Sequence, residues 1–223
     1  MPLPVDGDVQ SQIPLNGASN VYQASVSGTY MCFAPGSMIA TAAGETAVEA
    51  LVIGDTLRTA DGREVAVKWI GRQTLRKLFA GHKMQPVRIR AGALGDGLPH
   101  GDLTVTADHG MILDDLVING SAMVNGTTID FVPLVELPDA LTVYHIETEA
   151  HDVILANGAE AETFMDAAGR AAFDNFGEYL DLYGVEQIIP EMNRPRISSQ
   201  RLLPDAIKAR LRISDRVDLA RTA

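Results

Sequence analysis

The chain carries a single cysteine, Cys32, in 223 residues, with the Met31–Cys32 peptide bond immediately upstream of the thiol. A free thiol is only slightly ionised near neutrality, so chemistry at Cys32 calls for a neighbouring base. Two stretches offer one. "LTVTADHGMIL" places Thr106 and His109 three apart at a strand end, and "VYHIETEAHDVILANG" sets His145 and His151 around a hairpin. Asp108 adjoins His109 and is a candidate to fix its tautomer. Thiol and imidazole together fit nucleophilic catalysis. The same histidines with Asp152 would fit metal ligation. That reading ranks last, because no His-Glu-x-x-His or similar short motif accompanies it. The bland alternative is a cysteine that serves as a small buried hydrophobe. His82 and His100 sit in a Gly-rich stretch without partners, and Trp69 in "VAVKWIG" reads as core.

These residues lie in β-rich text. From Cys32 to about Gly158, short runs of β-branched residues alternate with turn dipeptides: Ala43–Gly44, Asp61–Gly62, Asn119–Gly120, Asn125–Gly126 and Asn157–Gly158. Asp-Gly and Asn-Gly supply the positive φ angles of tight hairpins, and many short strands at this spacing predict an all-β body. Residues 75–101, with five glycines, read as a long loop. Residues 1–30 are rich in Gly, Pro, Ser and Asn, with one strand expected near Val21–Val26. After Gly158, "AEAETFMDAAGRAAFDNFGEYLDLYG" is Ala-rich, with Phe164, Ala168 and Ala171 at helical spacing. "LPDAIKARLRISDRVDL" has Pro204 at a helix start and Ile207 four before Leu211. Both are expected to be helical.

Composition bounds the partners. With 46% hydrophobic residues but only 5% aromatics, the core must be built from Val, Ile, Leu and Ala. The net charge of -11 is unevenly spread: residues 194–223 hold 8 Lys/Arg against 3 Asp/Glu. The acidic remainder repels phosphates, so nucleic acid is not an expected partner. The basic tail is expected to fold back on that acidic body. One cysteine forms no internal disulfide, no run approaches a membrane span, and the start is no secretory signal. The expected location is the cytoplasm, or outside the cell by a route needing no N-terminal signal.

Taken in order, these motifs resemble a Hint domain, the self-processing module of inteins, Hedgehog C-terminal domains and bacterial intein-like proteins. Cys32 with "FAPGS" resembles the family's opening block, and "TADH" its Thr-x-x-His block. "VYHIETEAHDVILANG" is similar to the late strand pair, and "VEALVIGDTLRTADG" to the stretch in which Gly-Asp precedes a strand. The style is that of the bacterial intein-like subgroup. The resemblance implies a mainly β, horseshoe or disc-like fold with pseudo-two-fold symmetry over residues 32–165. An N-terminal flank, 1–31, precedes it and a helical, basic extension, 166–223, follows.

The resemblance also implies a reaction. The Cys32 thiol attacks the Met31 carbonyl in an N-to-S acyl shift, and water or a small nucleophile resolves the thioester and frees residues 1–31. The chain's own N-terminal segment is then the substrate, and no cofactor or metal is expected. Such a shift runs uphill. Twisting the bond by ~12° recovers about 1 kcal/mol. Proton donation to the leaving nitrogen by a protonated imidazole contributes roughly 10²–10⁴ in rate, and each fixed oxyanion donor about 3 kcal/mol. On the family pattern His109 contacts the junction nitrogen, Thr106 holds the junction amide, and His145 is the candidate base for Cys32. His151 orients the junction. Splicing would need a downstream His-Asn pair. Past Gly158 the sequence reads Glu162–Thr163 instead, so cleavage or acyl transfer without splicing is expected. The alternative is an inactive Hint-fold interaction module.

Overall fold

A computed structural model describes residues 31–164 and 169–214. The chain is mainly β. Its strands are β1 (Met38–Thr41), β2 (Gly44–Ala47), β3 (Thr56–Arg58), β4 (Glu64–Ala66), β5 (Trp69–Arg76), β6 (Val87–Ile89), β7 (Leu103–Val105), β8 (Gly110–Leu113), β9 (Leu116–Asn119), β10 (Ile129–Phe131), β11 (Ala140–Glu147), β12 (Val153–Ala156), β13 (Ala159–Glu162) and β14 (Arg196–Ile197). The short helices are α1 (Lys77–Ala80), α2 (Phe176–Tyr183) and α3 (Asp205–Arg210). No helix among the described residues is long and apolar enough to cross a membrane.

The strands form three groups. One sheet runs β14-β9-β8-β13-β12-β1-β3-β4, with β2 added on β1. A second runs β10-β6-β7, and β5 and β11 make a long ribbon paired from Trp69↔Glu147 to Arg76↔Ala140. The expected turns at Asp61–Gly62 and Asn157–Gly158 close the β3–β4 and β12–β13 hairpins. Asn157 and Gly158 take φ of 48° and 77°, the sign that a two-residue turn of this hand requires.

Three expectations need correction. The stretch 75–101 is not one loop: β6 lies inside it, paired with both β7 and β10. Its three residues are flanked by Arg90 and Gly92, so no alternation is long enough to see. Asn119–Gly120 is not a hairpin turn. Asn119 ends β9 at φ −59°, and a 3₁₀ turn over Gly120–Met123 follows. The Ala-rich run after Gly158 begins as strand β13, because the preceding turn presents Ala159–Glu162 to β12 in register and pairing outweighs alanine's helix preference. Among the described residues of this run, α-helix appears only in α2, after a 3₁₀ turn at Arg170–Ala172. The expected strand at Val21–Val26 lies outside the described residues.

Two apolar clusters fill the interior. The larger joins Ile39, Leu57, Ile89, Leu103, Met111 and Ile154 between the sheets. The smaller sits on one face of the β5–β11 ribbon and gathers Cys32, Trp69, Val143, Phe164, Phe173 and Tyr179. Phe173 and Tyr179 come from the segment after residue 168, which therefore covers this face.

Candidate functional site

Residues 31–34 run extended between β7 and β11. Toward β11, Phe33 N–H donates to the Tyr144 carbonyl at 2.8 Å and Tyr144 N–H to the Phe33 carbonyl at 2.9 Å. This reciprocal pair, Phe33↔Tyr144, is antiparallel, so the next pair out is Cys32 opposite His145. Side chains of such non-hydrogen-bonded pairs stand with Cβ atoms about 4.5–5.5 Å apart. Toward β7, Phe33 pairs with Val105, which sets Cys32 opposite Thr106. Thr106 N–H donates to the Cys32 carbonyl at 2.9 Å, while the Thr106 carbonyl turns away to accept His109 N–H at 3.1 Å. Cys32 N–H therefore goes to the Thr106 hydroxyl, at 2.8 Å. The spacing of "TADH" has a local cause: the turn that brings His109 back consumes the carbonyl, and the threonine side chain replaces it on the junction amide.

The three titratable groups nearest the junction are held uncharged. Burial pushes the Cys32 thiol up. Burial lowers His109 to about 4, opposed by Glu162 and by the Met31 backbone. The ring packs against Phe33 at 4.3 Å, and neither of its nitrogens completes a hydrogen bond among the described residues. Burial likewise lowers His145 to about 3, reinforced by the neighbouring His109. Its ring meets Phe164 edge-on at 4.9 Å and stacks on Phe173 at 5.6 Å and 23°, again with both nitrogens unpartnered. At neutral pH the junction thus holds a protonated thiol and two neutral imidazoles. A protonated imidazole is not the resting state; a ring must first take up the proton it delivers.

Two supporting residues are placed differently from expectation. Asp108 accepts from Asn119 Nδ2 at 3.3 Å and does not bond the His109 ring. His151 is engaged elsewhere. Its Nδ1 accepts Met192 N–H at 2.9 Å, so Nε2 carries the hydrogen and donates to Glu162 at 3.1 Å. The ring ties β13 to the C-terminal segment. Asp152 bonds Thr148 and Arg63, and no three His, Cys, Asp or Glu side chains among the described residues converge as metal ligands would.

Three residues that the sequence did not flag complete the surroundings. Glu162 is fully buried and accepts Gly110 N–H at 2.7 Å, beside His109. Burial alone would raise its pKa, but hydrogen bonds from His151 and Arg196 hold it down at about 2. Gly110 is required there, since a Cβ would fall 2.5 Å from the Glu162 carboxylate and 2.4 Å from Val117. Arg170, also fully buried, binds Glu147 through two bonds of 2.7 and 3.1 Å and faces the Phe164 and Tyr179 rings. Phe173 follows it. A charged residue inside an Ala-rich run was the available signal for Arg170; Phe173 gave none. Further on, Arg194, Arg196 and Arg210 pair with Asp115, Glu162 and Asp114.

The family model described as Hint domain matches residues 31–168. No curated protein matches the chain. Among solved structures, a bacterial intein-like domain from Clostridium thermocellum is 15% identical and covers 60% of this chain and 100% of its own length, with a TM-score of 0.48. The MchDnaB-1 intein is 16% identical and covers 58% and 98%, at 0.42. A DnaB intein from Synechocystis sp. PCC 6803 is 10% identical and covers 60% and 99%, at 0.44. With more than half its length matched by the family model, this chain belongs to the Hint domain family.

Proposed function

We propose that the chain processes itself at Met31–Cys32 by an N-to-S acyl shift, followed by hydrolysis or acyl transfer, without splicing. The observation that carries this reading is the 2.8 Å bond from the junction N–H to the Thr106 hydroxyl, with His109 and His145 on either side of the same residue. Cys32 Sγ attacks the Met31 carbonyl carbon as its proton passes to His145. The C–N bond breaks as that proton is relayed from His145 to His109 and from His109 to the Cys32 nitrogen, which leaves both rings neutral. Because both rings rest neutral, the hydrogen taken from sulfur is the one delivered to nitrogen, and the site's net charge is unchanged throughout. Holding thiol and carbonyl on adjacent residues removes the entropy of encounter. Thr106 and His109 position and protonate the leaving nitrogen, and Glu162 holds the turn that carries His109.

The test is to incubate the purified chain with dithiothreitol and measure intact mass. Self-processing yields a 32–223 fragment with an N-terminal cysteine, and Cys32→Ala yields none. An unchanged mass after prolonged thiol treatment overturns the reading. One observation favours a second reading, an inactive Hint-fold interaction module: Cys32 is fully buried among apolar side chains, as an inert core cysteine would be. That reading expects identical behaviour of wild type and Cys32→Ala.

A further inference from the structure

The face of the β5–β11 ribbon that carries His145 also carries polar atoms that nothing satisfies among the described residues. Among the described residues, Trp69 Nε1 and Gln73 Oε1 are buried without a hydrogen-bond partner, as are both nitrogens of His145. In native interiors such groups are few, and each calls for a reason. Trp69, Gly71 and Gln73 alternate along β5, and Gly71 stands opposite His145. One side chain covers them. Phe173 stacks on His145, meets Trp69 edge-on at 5.5 Å, and lies where a Cβ on Gly71 would sit 2.8 Å from its ring. Gln73 Nε2 bonds the carbonyl of Ala172, the residue before it. So the strand leaves a gap at Gly71, the gap is bordered by a donor, an acceptor and an imidazole, and an apolar ring fills it.

We propose that the space held by the Phe173 ring is the seat of the acyl acceptor, a small hydroxyl or amine nucleophile, and that Phe173 is the gate that keeps it empty before the thioester forms. The proposal rests on the self-processing reading and adds to it where the second substrate binds. With Phe173 swung out, the acceptor's X–H donates to His145 or Gln73 Oε1, and its lone pair faces Trp69 Nε1–H. As X attacks the Met31 carbonyl carbon, its hydrogen passes to His145 and the C–S bond breaks. His145 then returns that hydrogen to Cys32 Sγ, which regenerates the thiol. Phe173 lies on a segment anchored by Asp174 to Thr74 N–H and by Asn175 to Arg72 N–H, at 2.8 and 2.7 Å, so the ring can turn while its backbone stays docked.

The experiment uses the full chain with hydroxylamine as the probe, in wild type, Phe173→Ala and Phe173→Leu. Conversion of the Met31 carboxyl to its hydroxamate is followed by mass, and labelling of Cys32 by a thiol reagent is followed in parallel. The expected result is hydroxamate formation at least ~10-fold faster in Phe173→Ala, intermediate in Phe173→Leu, and saturating with hydroxylamine. If Phe173→Ala loses native circular dichroism, the leucine variant carries the test. Faster Cys32 labelling with hydroxamate formation within twofold of wild type overturns the acceptor seat and leaves self-processing standing. Labelling without any cleavage in every variant overturns self-processing itself, and the seat with it.

Discussion

Cys32 and His145 face each other across an antiparallel strand pair, in a register set by the two reciprocal bonds between Phe33 and Tyr144. This is the arrangement in which side chains on neighbouring strands come closest. On the proposed self-processing reading it would give the thiol a base without any sequence proximity, the two residues being 113 positions apart. His145→Gln keeps the ring's approximate bulk and removes its basicity. Thiol-induced cleavage is expected to slow by roughly 10²–10⁴, while Cys32→Ala abolishes it. A glutamine variant that cleaves at the wild-type rate would remove His145 from the reaction.

The Thr106 hydroxyl makes a separable prediction. It is the acceptor of a buried backbone N–H, and an orphaned buried donor costs about 1–3 kcal/mol. Thr106→Ala is expected to lose that much stability and to slow cleavage. Thr106→Ser, which keeps the oxygen, is expected to recover most of both. Urea midpoints and cleavage rates of the two variants decide it; equal losses in serine and alanine would assign the threonine's role to its methyl group.

Acid should destabilise the protein in a defined window. His109 and His145 are lowered to about 4 and about 3 by burial, against an unfolded value near 6.5. Between those values the unfolded chain binds protons that the folded chain refuses, so stability rises with pH there. The contribution is fully present above about pH 6.5 and is lost as pH falls toward 4. It amounts to several kcal/mol, at about 1.36 kcal/mol per unit. Urea unfolding at pH 7, 6, 5 and 4.5 is expected to show a steep loss. His145→Gln should flatten it, and a pH-independent midpoint over this range contradicts neutral buried rings.

How far the sequence carried depended on whether a feature was local. The Asp61–Gly62 and Asn157–Gly158 turns, Cys32, Thr106 and His109 were legible, because turn chemistry and a three-residue spacing are written in contiguous text. The β5–β11 pairing joins Trp69 to Glu147, and no local signal announces that register. Phe173 lies far from Gly71 in sequence and is meaningful only because that glycine leaves a gap. Strand β13 was masked by alanines whose helical preference lost to hairpin pairing. Asp108 shows the opposite error. Adjacency to His109 suggested a contact, but its side chain turns toward Asn119.

Glu162 supplies the last test, because it separates holding the site from reacting in it. Its carboxylate joins Gly110 N–H, His151 and Arg196, so it spans the residue beside His109, the late histidine and β14. Removing one partner of a buried pair costs about 3–5 kcal/mol, and Glu162→Gln is expected to lose stability on that scale. Its pKa is depressed to about 2, so its contribution is present above about pH 4.5 and disappears as pH falls through 2. The glutamine variant should therefore lose wild type's stability slope below pH 4.5, yet keep the histidine slope between 4.5 and 6.5. Gly110→Ala should be more damaging than the glutamine change, since its Cβ would collide with Val117 and the carboxylate together. If Glu162→Gln unfolds at the wild-type urea concentration across this range, Glu162 does not hold the turn that carries His109.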